Sequence, residues 1–150
     1  MSEFDSRKRL VEQALAMAPH IAALGIRLES FAPSRAVMRL PYAEDLIAYR
    51  ETGVLAGGAV YSLMDSVCGM AVLAALKTLR PVATLDLRLD YMKPAARGRD
   101  LFGAADCMKV TRHIAFVRGI AYHEREDDPI AHATATFALR NDSETSEIPQ

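Results

Sequence analysis

Hydrophobic and polar positions alternate along this chain with two different periods. Leu10, Val11, Ala14, Leu15 and Ala18 recur at helical spacing against Arg7, Lys8 and Glu12, which predicts a short amphipathic helix over Asp5 to Ala18. Pro19 and Gly25 punctuate its exit. Gly25 to Leu40 reads as two short strands broken at Ala32-Pro33-Ser34, and Pro41 to Thr52 as a loop or short helix. Gly57 to Leu76 is apolar almost all round, the pattern of a helix covered on nearly every side. One stripe of it is smaller and more polar: Tyr61, Ser62, Asp65, Cys68 and Gly69 share a face at spacings of three and four.

The period then changes to two. Ala83, Leu85, Leu87, Leu89 and Tyr91 alternate with Thr84, Asp86, Arg88 and Asp90, predicting a strand over Val82 to Met92. A turn region from Pro94 to Asp100 precedes three further strands, Leu101 to Thr111, Ile114 to Glu124 and Ile130 to Arg140, the last pair separated by Glu126-Asp127-Asp128-Pro129. Connections this short exclude helical crossovers, so the late strands are expected to be antiparallel, a meander wrapped around the long helix. The expected organisation is one α+β domain over residues 1–140, with a polar, disordered tail over 141–150.

Composition narrows the function classes. A 150-residue chain suits one domain, and a formal net charge of −1 removes the electrostatic argument for nucleic-acid or anionic-membrane partners. Gly53 to Leu76 is long enough to cross a bilayer, but its four glycines, two serines and central Asp65 favour a buried helix of a soluble protein. Ser2 to Glu12 is too charged for a signal peptide, and Cys68 and Cys107 read as reduced thiols, so a cytoplasmic location is expected. His123 and His132 can face each other across a hairpin but lack a third ligand, so no metal site is expected. Ser62 and Ser66 lack a nucleophile motif.

Asp65 is the informative residue, the single charge between Gly53 and Leu76. A buried carboxylate is costly without a partner or a task. It either carries chemistry, pairs with an arginine such as Arg88, or faces a subunit boundary. Gly57-Gly58 opens the same helix, where bare backbone N–H groups form a natural oxyanion site or where paired glycines permit a tight turn. Gly57 and Asp65 are eight residues apart, roughly 12 Å along a helix axis. A polarising N–H and a general base must both lie about 3 Å from one reacting centre. One helix cannot easily supply both. Two antiparallel helices across a two-fold axis can, so a joint site would be shared between two chains.

The stretch Gly53-Val54-Leu55-Ala56-Gly57-Gly58-Ala59, then Leu63-Met64-Asp65, resembles the helix motif of the PaaI-like branch of hotdog-fold acyl-CoA thioesterases. Ala83 to Ala95 followed by Gly98, then Val110-Thr111-Arg112 and Ala133-Thr134-Ala135-Thr136-Phe137, resemble that family's later strands, so the likeness spans roughly residues 20–140. It implies a hotdog fold, a homodimer often paired into a tetramer, and hydrolysis of acyl-CoA without a further cofactor. By the same resemblance Asp65 activates water or attacks the carbonyl, the Gly57 N–H polarises the carbonyl oxygen from the partner chain, and Thr84 assists the acid. Lys93, Arg97, Arg112 and His113 are nominated by position for the CoA phosphates. Two departures stand out. Ala56 replaces the usual histidine before the double glycine, and Tyr49 or Arg50 replaces an upstream asparagine, with Tyr49 a substitute hydroxyl donor. They leave an alternative: a hotdog protein that binds acyl-CoA or serves as an assembly partner without catalysis. A hotdog dehydratase ranks low, since no suitable histidine precedes or lies within the helix. Met64, Met70, Phe102 and Phe116 are candidates for an apolar pocket, with core packing the default.

Overall fold

A computed structural model describes residues 1–141. The amphipathic segment begins earlier than periodicity indicates, as α1 (Glu3–Ala16). The reason is a capping box: Ser2 Oγ accepts from the Asp5 N–H at 3.1 Å, and the Asp5 carboxylate accepts from the Ser2 N–H at 3.0 Å. Pro19 opens a second helix, α2 (Pro19–Leu24), closed by Gly25 at φ 72°. Strands β1 (Arg27–Ala32) and β2 (Arg35–Leu40) flank the expected break, and only a 3₁₀ turn, Glu44–Leu46, interrupts the following loop. Helix α3 (Gly57–Ala75) follows, then β3 (Val82–Tyr91), β4 (Leu101–Val110), β5 (Ile114–Tyr122) and β6 (Ala131–Leu139). The expected tail retains only Asn141; residues 142–150 lie outside the described residues.

All six strands form one antiparallel sheet in the order β1-β2-β4-β5-β6-β3, curled around α3. This is the hotdog architecture. The apolar, membrane-length segment is its filling: ten residues of α3, from Ala59 to Ala74, are buried. Gly103 and Gly119 let the helix approach the sheet. A Cβ on Gly103 would stand 3.1 Å from the Met64 sulfur, and one on Gly119 would stand 3.0 Å from the Met64 methyl and 3.1 Å from the Ala104 carbonyl.

The expected meander is corrected in one respect. β3 does not pair with β4; it lies at the sheet edge beside β6, while β4 lies across the sheet beside β2. Strands stand about 4.8 Å apart, so the connecting residues 92–100 cross roughly 14 Å, well within their extended reach of about 30 Å. His123 fixes the crossing. Its Nε2 accepts from the Ala96 N–H at 2.9 Å, so its Nδ1 donates to the Asp100 carbonyl at 2.8 Å. His123 therefore does not face His132, which lies opposite Ile120 and Asp90.

A second correction sets up the site. The alternation along β3 is broken by a bulge: Thr84 pairs with Phe137 and Asp86 with Thr136, leaving Leu85 extra and 58% exposed. The bulge flips the parity. Thr84 thereby joins Leu87, Leu89 and Tyr91 on the helix side, away from Asp86 and Arg88.

Candidate active site

Asp65 sits mid-helix on the side of α3 that faces edge strand β3. It is half-buried rather than enclosed, because β3 ends the sheet there and nothing beyond it covers the helix among the described residues. Thr84, turned inward by the bulge, donates its hydroxyl to Asp65 Oδ1 at 2.6 Å. Among the described residues this is the carboxylate's sole hydrogen bond, so Oδ2 remains open to a water or a substrate. Arg88 does not pair with Asp65; its guanidinium bonds Asp90 at 3.0 Å.

The start of α3 is equally open. Ala56 is the N-cap, with no side-chain cap, and the first intrahelical donor to its carbonyl is the Ala59 N–H at 3.0 Å. The Gly57 and Gly58 N–H groups therefore have no acceptor among the described residues. Neither glycine has a positive φ, so no turn requires them. A Cβ on Gly58 would meet nothing within 4 Å, and one on Gly57 would meet only the Tyr91 hydroxyl at 3.5 Å. Packing inside the chain does not require glycine here. Bare N–H groups at a helix start suit a developing oxyanion.

Two tyrosines outside the sequence-derived set tie α3 to β3. Tyr61 donates its hydroxyl to the Leu87 carbonyl at 3.2 Å, and Tyr91 donates to the Gly57 carbonyl at 3.3 Å. Their alternation marked them only as strand and helix face residues; no spacing rule reveals a hydroxyl reaching a backbone carbonyl in another element. The consequence is positional. Gly57 is tied to the Tyr91 end of the edge strand and Asp65 to its Thr84 end.

The remaining nominated residues are scattered. Tyr49 lies at the tip of the loop closed by the Ile47–Leu55 bridge, 69% exposed, and no hydrogen bond joins its ring to Asp65 among the described residues. Arg97 points back into that loop, donating to the Thr52 carbonyl at 3.3 Å and the Glu51 carbonyl at 3.2 Å. It packs against Gly53, where a Cβ would overlap the Arg97 side chain and where the φ of 64° separately favours glycine. Lys93 bonds Asp128 at 2.6 Å in an exposed pair. Arg112 and His113 are exposed in the β4–β5 turn. Lys93 follows the Tyr91 end of β3, whereas Ile114, just after His113, pairs with Ala138 beside the Val82 end. The two groups are roughly 30 Å apart along a ten-residue strand and cannot hold one phosphate together within a chain. Among the apolar candidates, Met64 is core, Phe102 stacks on Tyr122 at 5.7 Å, and Phe116 is 41% exposed. Among the described residues no group of three His, Cys, Asp or Glu side chains is placed to hold a metal.

Cys68, one turn beyond Asp65, is fully buried, and burial together with the nearby Asp65 carboxylate pushes its thiol up to about 12. A group raised in the folded state contributes stability that is full below its unfolded value and lost as pH rises through the folded one. The rise from 9.0 to about 12 corresponds to roughly 4 kcal/mol, lost progressively over that window. Urea unfolding at pH 8 and pH 11 is expected to show roughly two-thirds of this loss, since pH 11 lies inside the window. Cys68→Ala is expected to reduce the difference between the two pH values, and an undiminished difference would remove the thiol as its cause.

A curled antiparallel sheet wrapped around one long helix defines a hotdog protein. The thioesterase superfamily profile matches residues 52–130. The medium/long-chain acyl-CoA thioesterase YigI of Escherichia coli is 26% identical over 134 residues, covering 81% of this chain and 85% of that protein. A crystal structure from Pseudomonas aeruginosa is 37% identical with a TM-score of 0.78, covering 92% of this chain and 99% of that one. The phenylacetic acid degradation protein PaaI of Thermus thermophilus is 26% identical with a TM-score of 0.70, covering 81% of this chain and 98% of that one. This chain belongs to the thioesterase superfamily, in its PaaI-like branch, and is a thioester hydrolase.

Proposed function

We propose that the protein hydrolyses acyl-CoA thioesters to the free acid and CoA at a site shared between two chains. One observation carries this reading. Within the chain, Gly57 is anchored at one end of edge strand β3 through Tyr91, and Asp65 at the other end through Thr84. Antiparallel pairing of β3 with a partner's β3 about a two-fold axis brings each chain's Gly57 end beside the other's Asp65 end. The exposed apolar residues Leu85, Tyr91, Met92 and Tyr61 on this edge support such a contact.

In this arrangement the thioester carbonyl oxygen accepts from the partner's bare helix start, which stabilises charge developing on it. Asp65, held by Thr84, presents its open oxygen to a water as general base, or to the carbonyl carbon as nucleophile. The thiolate of CoA leaves, and water supplies the oxygen of the product acid, so no cofactor beyond the substrate is needed. A second two-fold axis, perpendicular to the first, pairs such dimers into tetramers. Antiparallel pairing also sets the Lys93 end of one chain against the Arg112 and His113 end of the other, where CoA phosphates meet cationic groups from both. A cytoplasmic location fits a CoA substrate and two unpaired thiols.

Free-thiol release from short, medium, long and aromatic acyl-CoAs tests the reading. Release from at least one member of the panel is expected. No release from any of them, with CoA binding intact, would identify a binding module instead.

A further inference from the structure

The loop before α3 closes on a single helical turn. The Gly53 N–H donates to the Tyr49 carbonyl at 2.9 Å, and Gly53, at φ 64°, leads the chain out of the turn. Such a turn leaves its last carbonyls without donors of their own and pointing one way, where a cation is favoured. Arg97 occupies that place. Its Nη2 donates to the Arg50 carbonyl at 2.5 Å and the Glu51 carbonyl at 3.2 Å, and its Nε to the Thr52 carbonyl at 3.3 Å. Consecutive carbonyls thus converge on one planar guanidinium, a fit that the point charge of a lysine does not reproduce.

From Gly53 the chain runs directly to the start of α3, and every residue between them is tied. The Val54 carbonyl accepts from the Ala48 N–H at 2.8 Å, and the Ala56 N–H donates to the Leu46 carbonyl at 2.8 Å, both bonds within the loop itself. The Leu55 N–H donates outward, to the Ala95 carbonyl at 3.2 Å. The loop therefore hangs as a unit on residues 95–97, through this backbone bond and the guanidinium of Arg97. Those residues are themselves fixed: Ala95 is buried, and the Ala96 N–H donates to His123. At the end of this path the Gly57 and Gly58 N–H groups have no acceptor among the described residues. A donor to a developing oxyanion must stand about 2.7–3.1 Å from it, so a small displacement of the helix start matters.

We propose that Arg97 is a positioning residue for thioester hydrolysis: by clamping the turn at 50–52 it fixes the start of α3 and the direction of the Gly57 and Gly58 N–H groups. The proposal rests on the reading of that helix start as the oxyanion site. Arg97 acts here through the backbone and does not touch the substrate. Its role as a CoA phosphate ligand, suggested by sequence position, predicts different kinetics. A phosphate contact governs KM and tolerates lysine, whereas a clamp on the oxyanion donors governs kcat and does not.

The test compares Arg97→Lys and Arg97→Gln with wild type on the best acyl-CoA of the panel. Arg97 is exposed, so neither change opens the core. Both are expected to lower kcat by about 10–100-fold with KM almost unchanged, the scale on which misplacing a catalytic group by up to 1 Å acts. Amide hydrogen exchange is expected to quicken over residues 53–59 in both variants. Arg97→Gln is then repeated in a Gly57→Pro background, where it is expected to cost a clearly smaller factor, because one of the N–H groups that Arg97 places is gone. The same factor in both backgrounds would overturn the proposal and leave Arg97 a general structural role. So would a raised KM at wild-type kcat, rescued by lysine, which would make Arg97 a phosphate ligand. Wild-type kcat in both variants beside an impaired Gly57→Pro would overturn the proposal alone. Wild-type kcat in Gly57→Pro itself would overturn the oxyanion reading and the proposal with it.

Discussion

Asp65→Asn is expected to lower kcat/KM for the best acyl-CoA by about 10²–10⁴-fold while leaving the melting temperature almost unchanged. The two halves of this expectation have separate causes. Asparagine keeps the shape of the side chain and can still accept from Thr84 Oγ1, the contact made at 2.6 Å by Asp65 Oδ1. Because the side chain is half-buried at the sheet edge, exchanging a carboxylate for an amide disturbs no enclosed ion pair. What disappears is the basic or nucleophilic oxygen. Steady-state kinetics with thermal unfolding on the same sample separates the effects. Wild-type turnover in the variant would remove Asp65 from the chemistry and return it to a structural role.

Gly57→Pro tests the oxyanion side and the sharing of the site together. Gly57 is the first residue of α3, the position where proline is best tolerated. Ala56 already has φ −62° and ψ 142°, the extended conformation that a following proline prefers. The substitution therefore deletes one N–H that has no acceptor among the described residues and leaves the helix intact. Loss of one such donor is expected to cost about 10²–10³ in kcat.

The sharing is read by mixing. Asp65→Asn and Gly57→Pro chains, co-refolded in equal amounts, form mixed dimers in which one site carries both lesions and the other neither. About a quarter of wild-type activity is then expected from two nearly inactive proteins, given random pairing across a two-fold axis. If Gly57 and Asp65 of the same chain served one site, each site would retain a lesion and mixing would restore nothing.

The elements were largely legible in the chain because their signals are local. The all-apolar run of α3 and the alternations of β3 to β6 each reflect which side chains must leave water, and they mark the helix and strands to within a few residues. α2 escaped because its six residues are too few to show a period. The β3 bulge escaped because Leu85 keeps the alternation formally intact; the extra residue is visible only from the partner strand, where Phe137 and Thr136 are adjacent.

The site divides along the same line. Asp65 stood out as a lone charge in an apolar helix, and Gly57-Gly58 as a helix start whose glycines an entry turn explained equally well until their φ values showed none. The cations were less legible, since a surface charge has no pattern to distinguish a ligand from a solvated group. Arg97 is engaged with the carbonyls of its neighbouring loop, and Lys93 with Asp128.

By itself the sequence determined a helix that must be enclosed, strands that must be antiparallel, and a lone carboxylate on that helix whose task or partner it left open. These follow from hydrophobic periodicity, loop length and the desolvation of charge, all properties of neighbouring residues. Only the tertiary structure decided that β3 lies at the edge and that Thr84 turns to Asp65. It also decided that Gly57 and Asp65 hang from opposite ends of one exposed strand. Those outcomes depend on register and strand order, which are set by contacts between residues far apart in the chain and leave no periodic trace within any one segment.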